Sequence, residues 1–245
     1  MSKKPTLTHL LIVLSVIVFL LELYYESIYG EKFLGELFYN YGFSFQNLLA
    51  RKFWVFITSI FLHGGAEHLI LNVIALFFFG RVVEIELGKG KFLLIFFASA
   101  FIGDLAISLA TLINLASAIT PTIGISAAVF GLMGTAMLVK PFEFIFYPYL
   151  IPIPLILVAI IYTLYNIAAF LLVTTTETVS NVSYISHIGG LASGMLFGFK
   201  EEGSKKGFIV LLILLVLLIA TPFIWIALKY LENFNYIAIL TEMFK

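Results

Sequence analysis

Several polar residues interrupt long apolar runs in this chain: His63, His68, Asn72, Glu84, Asp104, Ser126 and His187. Ser126, His187, His68 and Asn72 have types that can work together. A serine hydroxyl becomes a nucleophile when an imidazole takes its proton, and an amide or a second imidazole can donate to the oxyanion that follows. Ser126 sits in Gly124-Ile-Ser-Ala-Ala-Val-Phe-Gly131. Gly124 permits a tight entry into a helix, whose first-turn amides have no intrahelical acceptor and can serve as oxyanion donors. On that segment alone a helix N-cap serine is an equal reading. His187 sits in His187-Ile-Gly-Gly190-Leu-Ala-Ser-Gly194. Positions i, i+3 and i+7 share a face, so the imidazole stands above Gly190 and Gly194. That face can approach the small-residue stripe Ala127, Gly131 and Gly134 and bring His187 to Ser126 as general base. The alternative is an interhelical hydrogen-bonding histidine.

His68 and Asn72 are i, i+4 and share a face, and both can donate to an oxyanion. A zinc pair is the rival idea. His63 and His68 are five apart, about 140° around a helix, and no His-Glu-x-x-His pattern occurs; no metal is expected. His63, at a loop edge, is expected to support the loop or the oxyanion layer. Glu84 and Glu86 should tie Arg81 or inner-loop amides. Asp104 is read as an interhelical hydrogen-bonding residue, not a third catalytic member, which leaves a Ser–His dyad.

These residues need elements to hold them. The chain has 245 residues, 62% of them hydrophobic and 11% charged, with mean hydropathy +1.10. A soluble domain of this size cannot hide so much apolar surface, so the fold class is an all-α polytopic membrane bundle. Net charge is zero, which implies no nucleic-acid partner. Cysteine is absent, which removes disulfides and thiolate chemistry. Apolar runs of about 17–25 residues place spans near 7–28, 66–83, 92–113, 124–139, 149–173, 184–199 and 208–229. The first run follows Lys3 and Lys4 but lacks a small-residue cleavage site, so it is read as a span. The stretch from Gly30 to Gly65 reads as an interfacial loop with short amphipathic helices.

With the N-terminus inside, the inner side carries Lys3, Lys4, Arg81, Lys89, Lys91, Lys140, Lys200, Lys205 and Lys206. The outer side carries only Lys32, Arg51, Lys52, Lys229 and Lys245, which favours that orientation. Spans two, four and six then run inward, and their first turns put His68, Asn72, Ser126 and His187 in one layer below the outer surface. Span four, from Gly124 to Val139, rises only ~24 Å against a hydrocarbon core of ~30 Å. Lys140 and Pro141 hold its inner end, so the loop before it must dip, which irregular backbone tolerates only beside protein or a watery cavity.

The chain resembles the rhomboid family of intramembrane serine proteases. The matching pieces are Trp54-x-x-x-Thr58-Ser-x-Phe61-x-His63, His68-Leu-x-x-Asn72 and Gly80-x-x-x-Glu84-x-x-x-Gly88, followed by Gly124-x-Ser126-x-x-x-Phe130-Gly131 and His187-x-x-Gly190-x-x-x-Gly194. The resemblance covers about 54–198. It implies a six-span core over 1–200, with 201–245 an added C-terminal helix and tail, and no cofactor. It further implies a Ser126–His187 dyad, with His68, Asn72 and the Ser126 amide forming an oxyanion hole. Glu84 matches a structural position, and Phe130 matches the aromatic that stacks on the catalytic histidine. The family often has glycine where this chain has Ala127, and a Trp-Arg pair where Arg51 and Trp54 stand apart.

The implied activity is endopeptidase cleavage in or beside transmembrane segments of substrates in the lipid bilayer, in a multi-pass protein of the cell membrane with its site opening outward. Substrate would enter past span five, whose Pro152 and Pro154 loosen its inner end, under the loop from Thr174 to Ser183. The rivals are a proteolytically inactive relative that binds membrane clients and a small transporter. A transporter would often show symmetry between halves, and no repeat is evident. Oligomeric state is not legible.

Overall fold

The structure, a computed structural model, describes residues 6–147, 151–176 and 183–202. Helix α1 spans Thr6–Tyr29. Three short helices follow, α2 Glu31–Tyr41, α3 Phe45–Leu49 and α4 Val55–Phe61, as expected of the loop from Gly30 to Gly65. Helix α5, Ala66–Ala75, runs through a π-helical turn at Leu76–Gly80 into α6, Arg81–Leu87. Gly88, with φ 84°, turns the chain into α7, Lys89–Leu112, a conformation that favours glycine. After a loop come α8, Ser126–Val139, α9, Leu155–Thr176, and α10, Tyr184–Glu202.

The expected all-α polytopic fold holds. Among the described residues, Thr6–Tyr29, Ala66–Leu87 and Lys89–Leu112 are long and apolar enough to cross a membrane, and Ser126–Val139 is a shorter apolar helix. Helix α1 leaves Leu10, Val13, Ile17, Leu20 and Leu21 exposed, as a lipid-facing helix does.

Span five starts later than its hydropathy indicates. Residues Phe144–Tyr147 and Ile151–Pro154 form an antiparallel ribbon, with Phe144 opposite Pro154 and Phe146 opposite Pro152. Pro152 and Pro154 lack the N–H that a helix interior requires, so α9 begins only at Leu155. It continues to Thr176, taking in the first part of the expected loop from Thr174, whose residues 177–182 lie outside the described residues. The seventh expected span, 208–229, also lies outside them.

Helix α8 is the centre of the bundle. Every residue from Ser126 to Leu138 is buried, which explains why its sequence shows no polar stripe. It meets α10 through small residues. A Cβ on Gly190 would overlap the Ala127 backbone, and one on Gly194 the Gly131 backbone, so the two helices touch main chain to main chain. Thr135 Oγ1 donates across that seam to the Gly194 carbonyl at 2.8 Å.

Glu84 ties a second seam. Its carboxylate accepts from the Thr6, Leu7 and Thr8 amides at 2.9, 2.9 and 2.8 Å and from Thr8 Oγ1 at 2.8 Å. These are first-turn donors of α1 with no intrahelical acceptor, and a carboxylate at a helix N-terminus also suits its dipole. Glu86 pairs instead with Lys140 at 2.7 Å, at the other end of α8 from Ser126.

Candidate active site

The loop before α8 enters the protein on backbone hydrogen bonds. Phe43 and Thr122 exchange N–H···O bonds of 3.0 and 2.6 Å, and the Gly124 amide donates to the Ser59 carbonyl at 2.8 Å. Those bonds pair backbone groups where the half-buried end of the loop approaches the fully buried Ile125. Gly124 has φ 107°, and a Cβ there would lie 2.7 Å from His68 Cε1. Both the left-handed conformation and the contact require glycine. This close approach sets the His68 and Asn72 side chains against the entry to α8.

Ile125 is the N-cap and Ser126 the first residue of α8, so Ser126 is not the capping serine. Its Oγ lies 2.7 Å from His187 Nε2. Beneath it Phe130 stacks on His187, ring centroids 4.5 Å apart and planes 11° apart. On the other side of the imidazole, His187 Nδ1 lies 2.6 Å from Asn166 Oδ1. Asn166 is a residue of α9 that the sequence reading passed over. The signal was there, since an amide inside an apolar span calls for an explanation.

A cavity of about 440 Å³ opens onto Ser126 and His187 and is lined also by His68, Asn72, Asn166 and three tyrosines, Tyr162, Tyr165 and Tyr184. Asn72 Nδ2 is buried and, among the described residues, has no hydrogen-bond partner. An unpaired buried donor is costly unless something arrives to accept from it. The geometry therefore gathers a hydroxyl, an imidazole able to take its proton, and a spare amide donor around one opening.

His63 is buried beside this group, edge-on to His68 with centroids 5.3 Å apart. Burial, with His68 nearby, pushes its imidazole down to about 4, so the ring is neutral. Its Nδ1 lies 3.0 Å from the Phe61 carbonyl and donates to it. Nε2 carries the lone pair and meets no donor among the described residues. That tautomer suits loop support and removes His63 as an oxyanion donor. The His63 amide donates to the Glu22 carboxylate at 3.3 Å, a tether from α1 to the loop before α5.

Asp104 lies on α7 beside the small residue Gly103. It is buried, and among the described residues its Oδ2 has no hydrogen-bond partner. Neighbouring Gly103 faces Ala127, where a Cβ would come within 2.8 Å of the alanine methyl. Helix α7 thus makes room for the methyl group of Ala127. Trp54 Nε1 donates to the Asn40 carbonyl at 3.2 Å, while Arg51 has φ 59°, so the first loop uses these residues separately.

Residues 50–202, more than half of the chain, match the Rhomboid domain. The chain is 31% identical over 192 residues to Rhomboid protease GluP of Bacillus subtilis (strain 168), covering 78% of this chain and 34% of that protein. It is 32% identical over 146 residues to RHOMBOID-like protein 1 of Arabidopsis thaliana, covering 60% and 34%. It is 30% identical over 155 residues to RHOMBOID-like protein 4 of the same plant, covering 60% and 33%. The chain thus spans about a third of the length of these relatives. The matched segment contains the Gly124–Gly131 and His187–Gly194 motifs and the helices that carry them, and on these grounds the chain belongs to the rhomboid family.

Proposed function

We propose that the protein is an intramembrane serine endopeptidase that cleaves peptide bonds in or next to transmembrane segments of membrane proteins. The observation that carries this reading is the 2.7 Å contact between Ser126 Oγ and His187 Nε2, inside a cavity that also presents His68 and Asn72. In the proposed reaction, Ser126 Oγ attacks the scissile carbonyl while His187 takes its proton. The protonated imidazole then gives that proton to the leaving amine. The Ser126 amide, His68 and Asn72 stabilise the tetrahedral oxyanion. Water repeats the sequence on the acyl-enzyme, with His187 again as base. No metal or cofactor enters this scheme.

The distribution of lysine and arginine supports a cytoplasmic N-terminus with the site opening to the outer side of the cell membrane. Residues 1–200 form the catalytic core in this reading, and 201–245 an additional span and tail. The substrate would pass α9 to reach Ser126.

Detergent-solubilised protein incubated with a single-span test substrate is the direct test. The wild type should cut it, and Ser126→Ala and His187→Ala should each remain folded and monodisperse but inactive. Near-wild-type turnover in either variant would sink the proposal. Absence of cleavage by the wild type, with client binding retained, would favour an inactive relative.

A further inference from the structure

We infer that Asn166 is a positioning residue for the base, fixing the tautomer of His187 so that its Nε2 lone pair faces Ser126. This rests on the Ser126–His187 reading above. The inference follows from which atoms can donate. Asn166 Nδ2 lies 3.2 Å from the Tyr184 carbonyl, which can only accept. That contact orients the amide: Nδ2 donates to Tyr184, and Oδ1 points to His187 Nδ1 at 2.6 Å. A flipped amide would set two carbonyl oxygens against each other. An amide oxygen only accepts, so Nδ1 carries the proton. In a neutral imidazole the lone pair then belongs to Nε2, which lies 2.7 Å from Ser126 Oγ and accepts from it.

The resulting relay runs from Ser126 O–H to His187, from His187 N–H to Asn166, and from Asn166 N–H to the Tyr184 carbonyl. Every link is directional, and Asn166 and His187 are both buried. When the imidazole takes the serine proton, Nδ1–H becomes a stronger donor and the bond to Oδ1 tightens, so Asn166 helps the charged state without itself changing protonation. Ser126, His187 and Asn166 ride on α8, α10 and α9, so the base is oriented only while α9 is seated against the other two. Along α9 the buried residues Leu155, Ala159, Thr163, Asn166 and Ile167 make one stripe, which puts Asn166 on the packed face.

The test compares Asn166→Leu with Asn166→Asp, scoring fluorophosphonate labelling of Ser126 and steady-state cleavage. Leucine removes the acceptor; aspartate keeps an oxygen toward Nδ1. Asn166→Leu should label and turn over about 10- to 100-fold more slowly, the size of one hydrogen bond to a group that becomes charged. The loss should fall on kcat, with KM within about threefold, and Asn166→Asp should recover at least ~10% of the wild-type rate. Labelling of Asn166→Leu within about threefold of wild type would overturn the inference. So would an Asp variant no faster than the Leu variant, or a loss confined to KM. If Asn166→Leu is not monodisperse, Asn166→Ala is judged by the same criteria. Ser126→Ala serves as the separate control: labelling that survives in it refutes the underlying dyad, whatever Asn166 does.

Discussion

The imidazole of His187 lies flat on the ring of Phe130, with centroids 4.5 Å and planes 11° apart. The stack joins the helix carrying the proposed nucleophile to the helix carrying its base. Nδ1 and Nε2 are both engaged at the ring edge, and Phe130 adds a restraint on the ring face. An aromatic pair of this kind contributes about 0.5–1.5 kcal/mol beyond its burial. Phe130→Leu, close in volume but without the ring, should therefore lower kcat by about 3- to 10-fold in protein that stays folded. Unchanged turnover with a lower melting temperature would make Phe130 a packing residue only.

Asn72 offers a buried Nδ2 with no partner among the described residues, as a donor waiting for a developing oxyanion would. Asn72→Ala should slow turnover by about 10–10³-fold, since losing one such donor elsewhere costs ~2.7–4 kcal/mol while His68 and the Ser126 amide remain here. The loss should appear in kcat, because the bond strengthens as charge develops. Full turnover accompanied by a loss of thermal stability would assign Asn72 to helix packing instead.

Gly124 carries two demands at once, a φ of 107° and a Cβ position 2.7 Å from the His68 ring. Gly124→Ala must strain the backbone, which costs about 1–3 kcal/mol, and displace His68. Both the melting temperature and turnover should fall, turnover by at least ~10-fold. An alanine variant that matched wild type in both would mean that this loop can relax without moving the oxyanion layer.

How much of this was readable beforehand differs residue by residue. Ser126 and His187 were legible because each sits in a glycine-spaced motif, and because charge asymmetry placed their helix starts in one layer. The close seam between α8 and α10 followed from the same glycines. Asn166 was not picked out, because a lone amide in an apolar run does not reveal which way its helix is turned. Glu22 has no motif to mark it, because its tether to the His63 amide is a contact between distant parts of the chain. Hydropathy placed the start of span five too early, since isoleucine and proline alternating over Ile151–Pro154 score as apolar yet cannot make helical bonds at the prolines.

The orientation of the site has its own test. The chain has no cysteine, so Ser126→Cys provides a single probe. In oriented vesicles it should react with a membrane-impermeant maleimide from the outer face, more slowly than Ala118→Cys in the exposed loop before α8. Reaction from the inner face alone would reverse the proposed topology, and no reaction from either face would mean that water cannot reach the serine.

The central claim is that His187 activates Ser126, and fluorophosphonate labelling tests it most directly. A serine hydroxyl with no base in reach is a weak nucleophile at neutral pH, so the reagent reports activation without any knowledge of the substrate. Mass spectrometry of labelled wild-type protein should locate the adduct on Ser126, and His187→Ala, purified in folded form, should lose nearly all labelling. An adduct on a different serine, or labelling of Ser126 that persists undiminished without His187, would contradict the account.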